Sequence, residues 1–346
     1  IAIFGDNAWV ATGGRKSRVM HTADKGKTWE LPQEVYNSEL DDRDANLMTL
    51  PDGTVILTFF TSAAFTEPLY IFPEWEKRKK RVTQDIIDEV AGAWLLRSFD
   101  NGYTWDKEPY RVPFGAHAGP TFLSDGSIIY LADYKGKMMI AKSMDRGKSW
   151  EITGEIKYIR PEGDNDFRIG ENHVLELSPG KLLVLFRSDS SINKNNQWVW
   201  QAISKDNGMT WNIPERTPIF GVPPHLLRLK SGIILCSYSH RHEPFSIRAV
   251  LSYDEGESWD MDNIITLYEW EDYPDMGYPV SVETDENEDD VDVNINVNVE
   301  DEEAKAYMDM VKSITSFKTI VTDNKAISAD ISKWVKSRSG GLEELM

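Results

Sequence analysis

The sequence predicts an all-β chain folded as a six-bladed propeller. Three observations carry that prediction: an Asp-containing turn that recurs, a Gly-containing turn that recurs beside it, and a β-rich segment after each Gly turn. The Asp turn reads Ser/Thr-x-Asp-x-Gly-x-Ser/Thr-Trp and stands at Thr22–Trp29, Ser98–Trp105, Ser143–Trp150, Ser204–Trp211 and Ser252–Trp259. In each copy the Asp can cap backbone N–H groups of its own turn, and the Gly supplies a positive φ. The Trp ring is free to pack on a neighbouring unit.

The Gly turns are Leu50–Gly53, Leu123–Gly126, Leu177–Gly180 and Leu229–Gly232, with Gly5-Asp6-Asn7 as an earlier copy. Strands follow at Ala8–Thr12, Thr54–Phe60, Ser127–Ala132, Lys181–Phe186 and Ile233–Tyr238. Each unit is therefore strand, Gly turn, strand, connection, strand, Asp turn, strand, which is the make-up of a propeller blade. Blade one is expected to begin inside its first strand near Ile1, and Tyr278–Glu283 to open blade six. First and last blades are read as incomplete. An insertion over Phe65–Gly92 lengthens blade two, and its charged stretch Glu74–Arg81 is expected to be a solvated helix.

After Glu283 the pattern breaks. The propeller is assigned to residues 1–284 and an acidic C-terminal extension of mixed α/β character to 285–346. Val291–Val299 alternates as a half-buried strand should. Glu300–Thr315 sets Ala304, Tyr307, Met308, Val311 and Ile314 on one helical face.

The chain has 346 residues, a formal charge of −19, twelve Trp and one Cys. Ten acidic residues lie in Asp285–Glu303, so the remainder carries −9. This balance argues against nucleic acid as a partner. It leaves room for an anionic small substrate in a locally basic cleft. No apolar run approaches the ~20 residues of a membrane span, and no signal peptide is visible behind Ile1. Cys236 sits in an apolar run and reads as a buried small hydrophobe. No cofactor is called for, and no metal site: His240 and His242 alternate without a clear third ligand.

In a propeller the residues leading into each first strand ring one mouth of the axis. Here they read Arg43-Asp44, His117, Glu171, His225 and Tyr278, at intervals from Asp44 of 73, 54, 54 and 53 residues. The second strands end on the same side, at Asp133, Arg187 and Arg241. Arginines, carboxylates, histidines and a tyrosine around an axial pocket make a candidate site.

The Asp turns resemble the Asp-box (BNR) repeats of the sialidase superfamily over about Ala8–Glu283. Gly170-Glu171, Val174–Leu177, Gly180 and Phe186-Arg187 resemble the sialidase segment with the catalytic Glu and the second substrate arginine. Arg241 stands where the third arginine precedes the last Asp box, with Arg248 as its competitor. Gly277-Tyr278-Pro279 resembles the segment with the catalytic Tyr; a core or turn aromatic is the plain alternative. His117–Pro120 and Pro223–Leu227 resemble a bacterial branch of these propellers.

The resemblance implies an exo-acting, retaining glycosidase for terminal α-sialosides or a related acidic sugar, secreted or periplasmic. It implies Tyr278 as nucleophile, Glu171 as its base, and Arg187 and Arg241 on the substrate carboxylate. The chemistry is coherent, because a carboxylate nucleophile would be repelled by that carboxylate and sialidases use Tyr instead. The family's first arginine and its acid/base Asp have no motif match here. Asp44 is the substitute acid/base by position, and Arg43 an extra clamp; His117, His225 and Asp133 are read as pocket lining. Two other readings stay open: a lyase or other glycosidase on the same propeller, with His and Tyr as acid/base, and a glycan-binding propeller without catalysis.

Overall fold

The computed structural model describes residues 2–4, 7–12, 16–23, 30–66, 76, 78–115, 119–193, 196–270, 278–283 and 291–296. These residues form an all-β propeller. The first sheet runs β1 (Ala2–Phe4), β2 (Asn7–Thr12), β3 (Ser17–Thr22) and β4 (Gln33–Tyr36), and the second β5 (Asp41–Thr49), β6 (Val55–Ser62), β7 (Gly92–Ser98) and β8 (Tyr110–Val112). The third holds β9 (Thr121–Phe122), β10 (Ile128–Tyr134), β11 (Lys137–Ser143) and β12 (Glu151–Ile156). The fourth holds β13 (Arg168–Ser178), β14 (Lys181–Asp189), β15 (Trp198–Ser204) and β16 (Glu215–Phe220). The fifth holds β17 (Pro224–Arg228), β18 (Ile234–His240), β19 (Phe245–Ser252) and β20 (Ile265–Trp270). Each is an antiparallel meander in chain order. β21 (Tyr278–Glu283) pairs antiparallel with β22 (Val291–Asn296), a strand that lies past the boundary the sequence suggests at 284/285.

Successive inner strands pack on one another, β13 on β17 and β17 on β21. Second strands supply the core because both their faces are covered. Leu182, Val184 and Phe186 face the third sheet, and Leu183 and Leu185 face the fifth; all five are fully buried. Runs of this kind read as near-continuous apolar segments rather than alternating ones, as strands buried on both faces should.

The Asp turns are the joints between sheets. In the fourth sheet Ser204 Oγ donates to Asp206 Oδ1 at 2.8 Å and accepts the Gly208 N–H at 2.8 Å. Asp206 then accepts Thr210 N–H at 2.8 Å and Thr210 Oγ–H at 2.5 Å. The same four bonds recur around Asp100, Asp145 and Asp254. Burial works to raise these carboxyls, but the hydrogen bonds outweigh it and hold all four below the usual range. The turn backbone is left-handed at two successive positions, Asn207 (φ 62°) and Gly208 (φ 81°). Only glycine fits the second. A Cβ there would stand 2.6 Å from Ile129 of the third sheet, and one on Gly256 would stand 2.8 Å from Leu183 of the fourth. Each box therefore seats on the sheet before it. Trp211 packs into the core with Ile129, and Trp259 Nε1 donates back to Gln201 of the fourth sheet at 3.1 Å. Of the Thr22–Trp29 copy, residues 24–29 lie outside the described residues.

Within the insertion, Glu76, Arg78 and Lys79 are helical, and α1 (Gln84–Val90) is a helix that the charge pattern did not announce. Thr83 caps α1, its side chain accepting the Ile86 N–H, and Ile86, Ile87 and Val90 pack on Leu40 and Phe65. The insertion is thus fastened to the second sheet rather than standing off it. Arg78 Nη2 donates to Ser38 O at 2.7 Å, and Arg111 stacks 4.1 Å from Trp94 while donating to Ala91 O at 2.8 Å.

Beside Ser38 lies Asp42, a fully buried carboxyl. It accepts Ser38 N–H at 2.8 Å and Ser38 Oγ–H at 2.6 Å, yet burial prevails and pushes it up to about 6, with the neighbouring Asp41 adding to the rise. Its folded pKa exceeds the unfolded one, so the folded state binds this proton more tightly. The stabilising share is full below about pH 4 and disappears as pH rises through about 6, at most roughly 3 kcal/mol. The capped box aspartates have the opposite sign and lose their share as pH falls below about 4. Asp42→Asn is expected to flatten the decline in Tm between pH 5 and 7.5. Thermal melts of the two proteins across that range check it, and parallel curves would contradict it.

Candidate functional site

Two β-bulges build the site. In β13 the ladder slips between Gly170 and Asn172, and Glu171 sits in the bulge, in the left-handed region at φ 36°. In β5 it slips between Arg43 and Asn46, and Asp44 sits at φ 50°. Both carboxylates stand nine residues ahead of their turn glycines, Gly180 and Gly53. A bulge re-aims the side chain it carries, here out of the ladder at the head of an inner strand.

Glu171 meets Tyr278, the first residue of β21. Tyr278 Oη donates to Glu171 Oε1 at 2.9 Å, while Arg187 Nη1, from the end of β14, donates to Glu171 Oε2 at 2.6 Å. Arg187 also pairs with Asp189: Nη2 donates to Oδ1 at 3.0 Å, and Nε stands 2.8 Å from Oδ2 as an ion pair whose N–H is not aligned for a hydrogen bond. The Arg241 guanidinium carbon lies 6.0 Å from the centre of the Tyr278 ring.

The charges bias the phenol strongly. Burial, then the Glu171 carboxylate, then Asp44 all raise Tyr278, and Arg187 only partly offsets them, so the hydroxyl is protonated throughout the physiological range. Burial works against the Arg187 charge, but the Glu171 and Asp189 carboxylates more than offset it and hold the guanidinium charged. At rest, then, a neutral phenol donates to a carboxylate that an arginine grips from its other oxygen. The Glu171 carboxylate stands within hydrogen-bond reach of that proton, the geometry a general base needs.

The remaining predicted residues lie elsewhere or play other parts. Arg43 Nε pairs with Asp41 on its own strand. Asp133 is exposed and closes its own hairpin, accepting Gly136 N–H at 3.1 Å. His117 lies outside the described residues. The expectation that His225 shares the position of Glu171 needs correction. Near-equal spacing suggests it, but the bulge at Glu171 has no counterpart in β17, so the count slips. The ladders pair His225 with Ser237 and His173 with Leu185, each histidine seven residues ahead of its turn glycine. The two rings are in contact, tilted by 41° with centroids 4.1 Å apart. His173 Nδ1 accepts the Leu226 N–H at 3.2 Å, and His225 Nδ1 the Ser281 N–H at 3.3 Å. Burial pushes His173 down to about 4 and His225 well below its usual value. Neutral imidazoles thus link three inner strands. Asp189 was missed, although Arg187-x-Asp189 on one strand puts both side chains on one face.

The family model of the BNR repeat-like domain matches residues 91–293, more than half of the chain. The chain belongs to the BNR repeat-like family. Its fold is that of the sialidase-like BNR propellers. A protein of unknown function from Dyadobacter fermentans superposes with a TM-score of 0.62 at 22% identity, over 82% of this chain and 80% of that one. The NanB sialidase of Streptococcus pneumoniae gives 0.56 at 12% identity, over 84% of this chain and 62% of that one. A Hadza microbial sialidase, Hz136, gives 0.55 at 19% identity, over 82% and 57%. The chain therefore spans about three fifths of the length of these two sialidases. No curated protein matches it. Among the described residues no helix is long and apolar enough to cross a membrane, and no group of three or more His, Cys, Asp or Glu could hold a metal ion.

Proposed function

We propose that this BNR propeller is a sialidase-like glycoside hydrolase, exo-acting on terminal α-sialosides or a related acidic sugar with retention. The observation that carries the proposal is the 2.9 Å hydrogen bond from the Tyr278 hydroxyl to Glu171. Tyr278 attacks the anomeric carbon, and its proton passes to Glu171 as the new C–O bond forms. The bond to the leaving oxygen breaks, and Asp44 supplies the proton to that oxygen. Water then attacks the tyrosyl glycoside by the reverse path, restoring the phenol. Arg241 and the outer edge of Arg187 hold the sugar carboxylate through charge-assisted hydrogen bonds. The ring is six-bladed, and the β21–β22 pair belongs to its last blade.

A substrate panel on the full-length gene product tests this. Fluorogenic α-sialosides are expected to turn over, and NMR of the first product to show the anomer of the substrate. Inversion would overturn the Tyr mechanism. A product with a new ultraviolet-absorbing double bond would mean a lyase. Glycan binding with no product from any substrate would mean a non-catalytic module.

A further inference from the structure

We infer that Asp189 is a positioning residue of this site: its ion pair and hydrogen bond to Arg187 fix that guanidinium against Glu171 and so set the carboxylate–phenol pair. This rests on the hydrolase reading for its effect on turnover, but its geometric part stands without it. The chain of contacts is continuous, running from Asp189 to Arg187 at 2.8 and 3.0 Å, to Glu171 at 2.6 Å and to Tyr278 at 2.9 Å. Arg187 and Glu171 side chains are 16% and 13% exposed, while Asp189 is 35% exposed, so the outermost member is the one nearest water.

Asp189 lies along the Nε and Nη2 side of the guanidinium: Nη2 donates to Oδ1 at 3.0 Å, and the buried Nε stands 2.8 Å from Oδ2 in an ion pair, so two points of contact orient the plane. With that plane fixed, Nη1 reaches Oε2 of Glu171 and leaves Oε1 to the phenol. Glu171 sits on a bulge in left-handed backbone, and Arg187 and Tyr278 hold one carboxylate oxygen each. The end of β14 is itself moored. Ser190 Oγ donates to Asp164 Oδ1 at 2.7 Å, and Ser191 N–H donates to Asp166 Oδ2 at 2.9 Å. Asp189 is therefore placed by a fastened strand end, and it is set to hold rather than to react.

The experiment has two arms on the full chain. In the first, NMR follows the Arg187 Nε–H resonance, identified by its disappearance in Arg187→Lys. It is expected to exchange slowly in the wild type and be lost to exchange with water in Asp189→Ala. In the second, turnover is followed on a substrate that the wild type cleaves and Tyr278→Phe does not. Asp189→Ala is expected to lower kcat on the order of 100-fold, the cost of slight misplacement of a reacting group. KM should change far less, the pH profile of kcat should move, and Asp189→Glu should restore part of the rate. Asp189→Asn, which keeps one acceptor in an equal volume, covers the case in which the alanine variant does not fold. An unchanged Nε–H signal, or an unchanged kcat with that signal lost, overturns the inference. If the wild type cleaves nothing, or Tyr278→Phe stays active, the hydrolase reading fails, and the Nε–H signal still decides whether Asp189 fixes Arg187.

Discussion

Tyr278→Phe is expected to reduce kcat/KM on an α-sialoside by roughly 10³-fold or more, because it deletes the only atom the proposed covalent step uses. The rest of the residue stays. The ring keeps its place near Arg241, and Arg187 still holds the Oε2 side of Glu171. The melting temperature should therefore move little, and the loss should fall in kcat rather than KM. Glu171→Gln keeps the shape but cannot take the phenol's proton, and a loss of roughly 10²- to 10⁴-fold is expected. The two residues act in one step, so the double variant should be hardly worse than the poorer single one. Steady-state rates on a fluorogenic sialoside, beside melts of each variant, provide the measurement. Retained turnover in Tyr278→Phe would remove the phenol from the mechanism.

The largest expected effect on stability lies far from the site, at Gly208. Gly208→Val forces a β-branched residue into backbone at φ 81° and drives a side chain into Ile129, whose Cδ1 would stand 2.6 Å from the new Cβ, with Leu182 Cδ1 at 3.2 Å. Left-handed strain adds about 1–2 kcal/mol and overpacking about 1–3 kcal/mol. The sum is large against the stability of an ordinary domain. A substantial fall in Tm and a lower denaturant midpoint are expected. Gly126→Val is the matched control, since Gly126 is also left-handed, at φ 87°, but a Cβ there meets nothing within 4 Å. If both variants lose equally, the seat on Ile129 contributes nothing and backbone strain accounts for the loss.

What the sequence disclosed follows from how far apart the interacting residues lie. An Asp box closes within eight residues, Ser204 to Trp211, so its chemistry can be read from a short string. Tyr278 and Glu171 are 107 positions apart. No local rule joins them: blade register puts both at the axial mouth, and the family resemblance pairs them as base and nucleophile. His225 was misplaced because a bulge adds a residue without any mark in composition. Asp189 escaped notice because Asp in a strand end reads as surface charge until the direction of Arg187 is known. Helix α1 had a signal in Thr83 followed by Ile86, Ile87 and Val90, but the neighbouring charge run drew the expectation toward Glu74–Arg81. Its packing on Leu40 and Phe65 could not be inferred before the insertion was seen to fold back.

The boxes also have a direction. Gly147 seats on Leu95, Gly208 on Ile129 and Gly256 on Leu183, and in every case the residue that receives the turn was synthesised earlier. A ribosome therefore delivers each latch after the surface it closes on already exists. Assembly can follow the order of synthesis, with no unit waiting for a later one to complete its docking face.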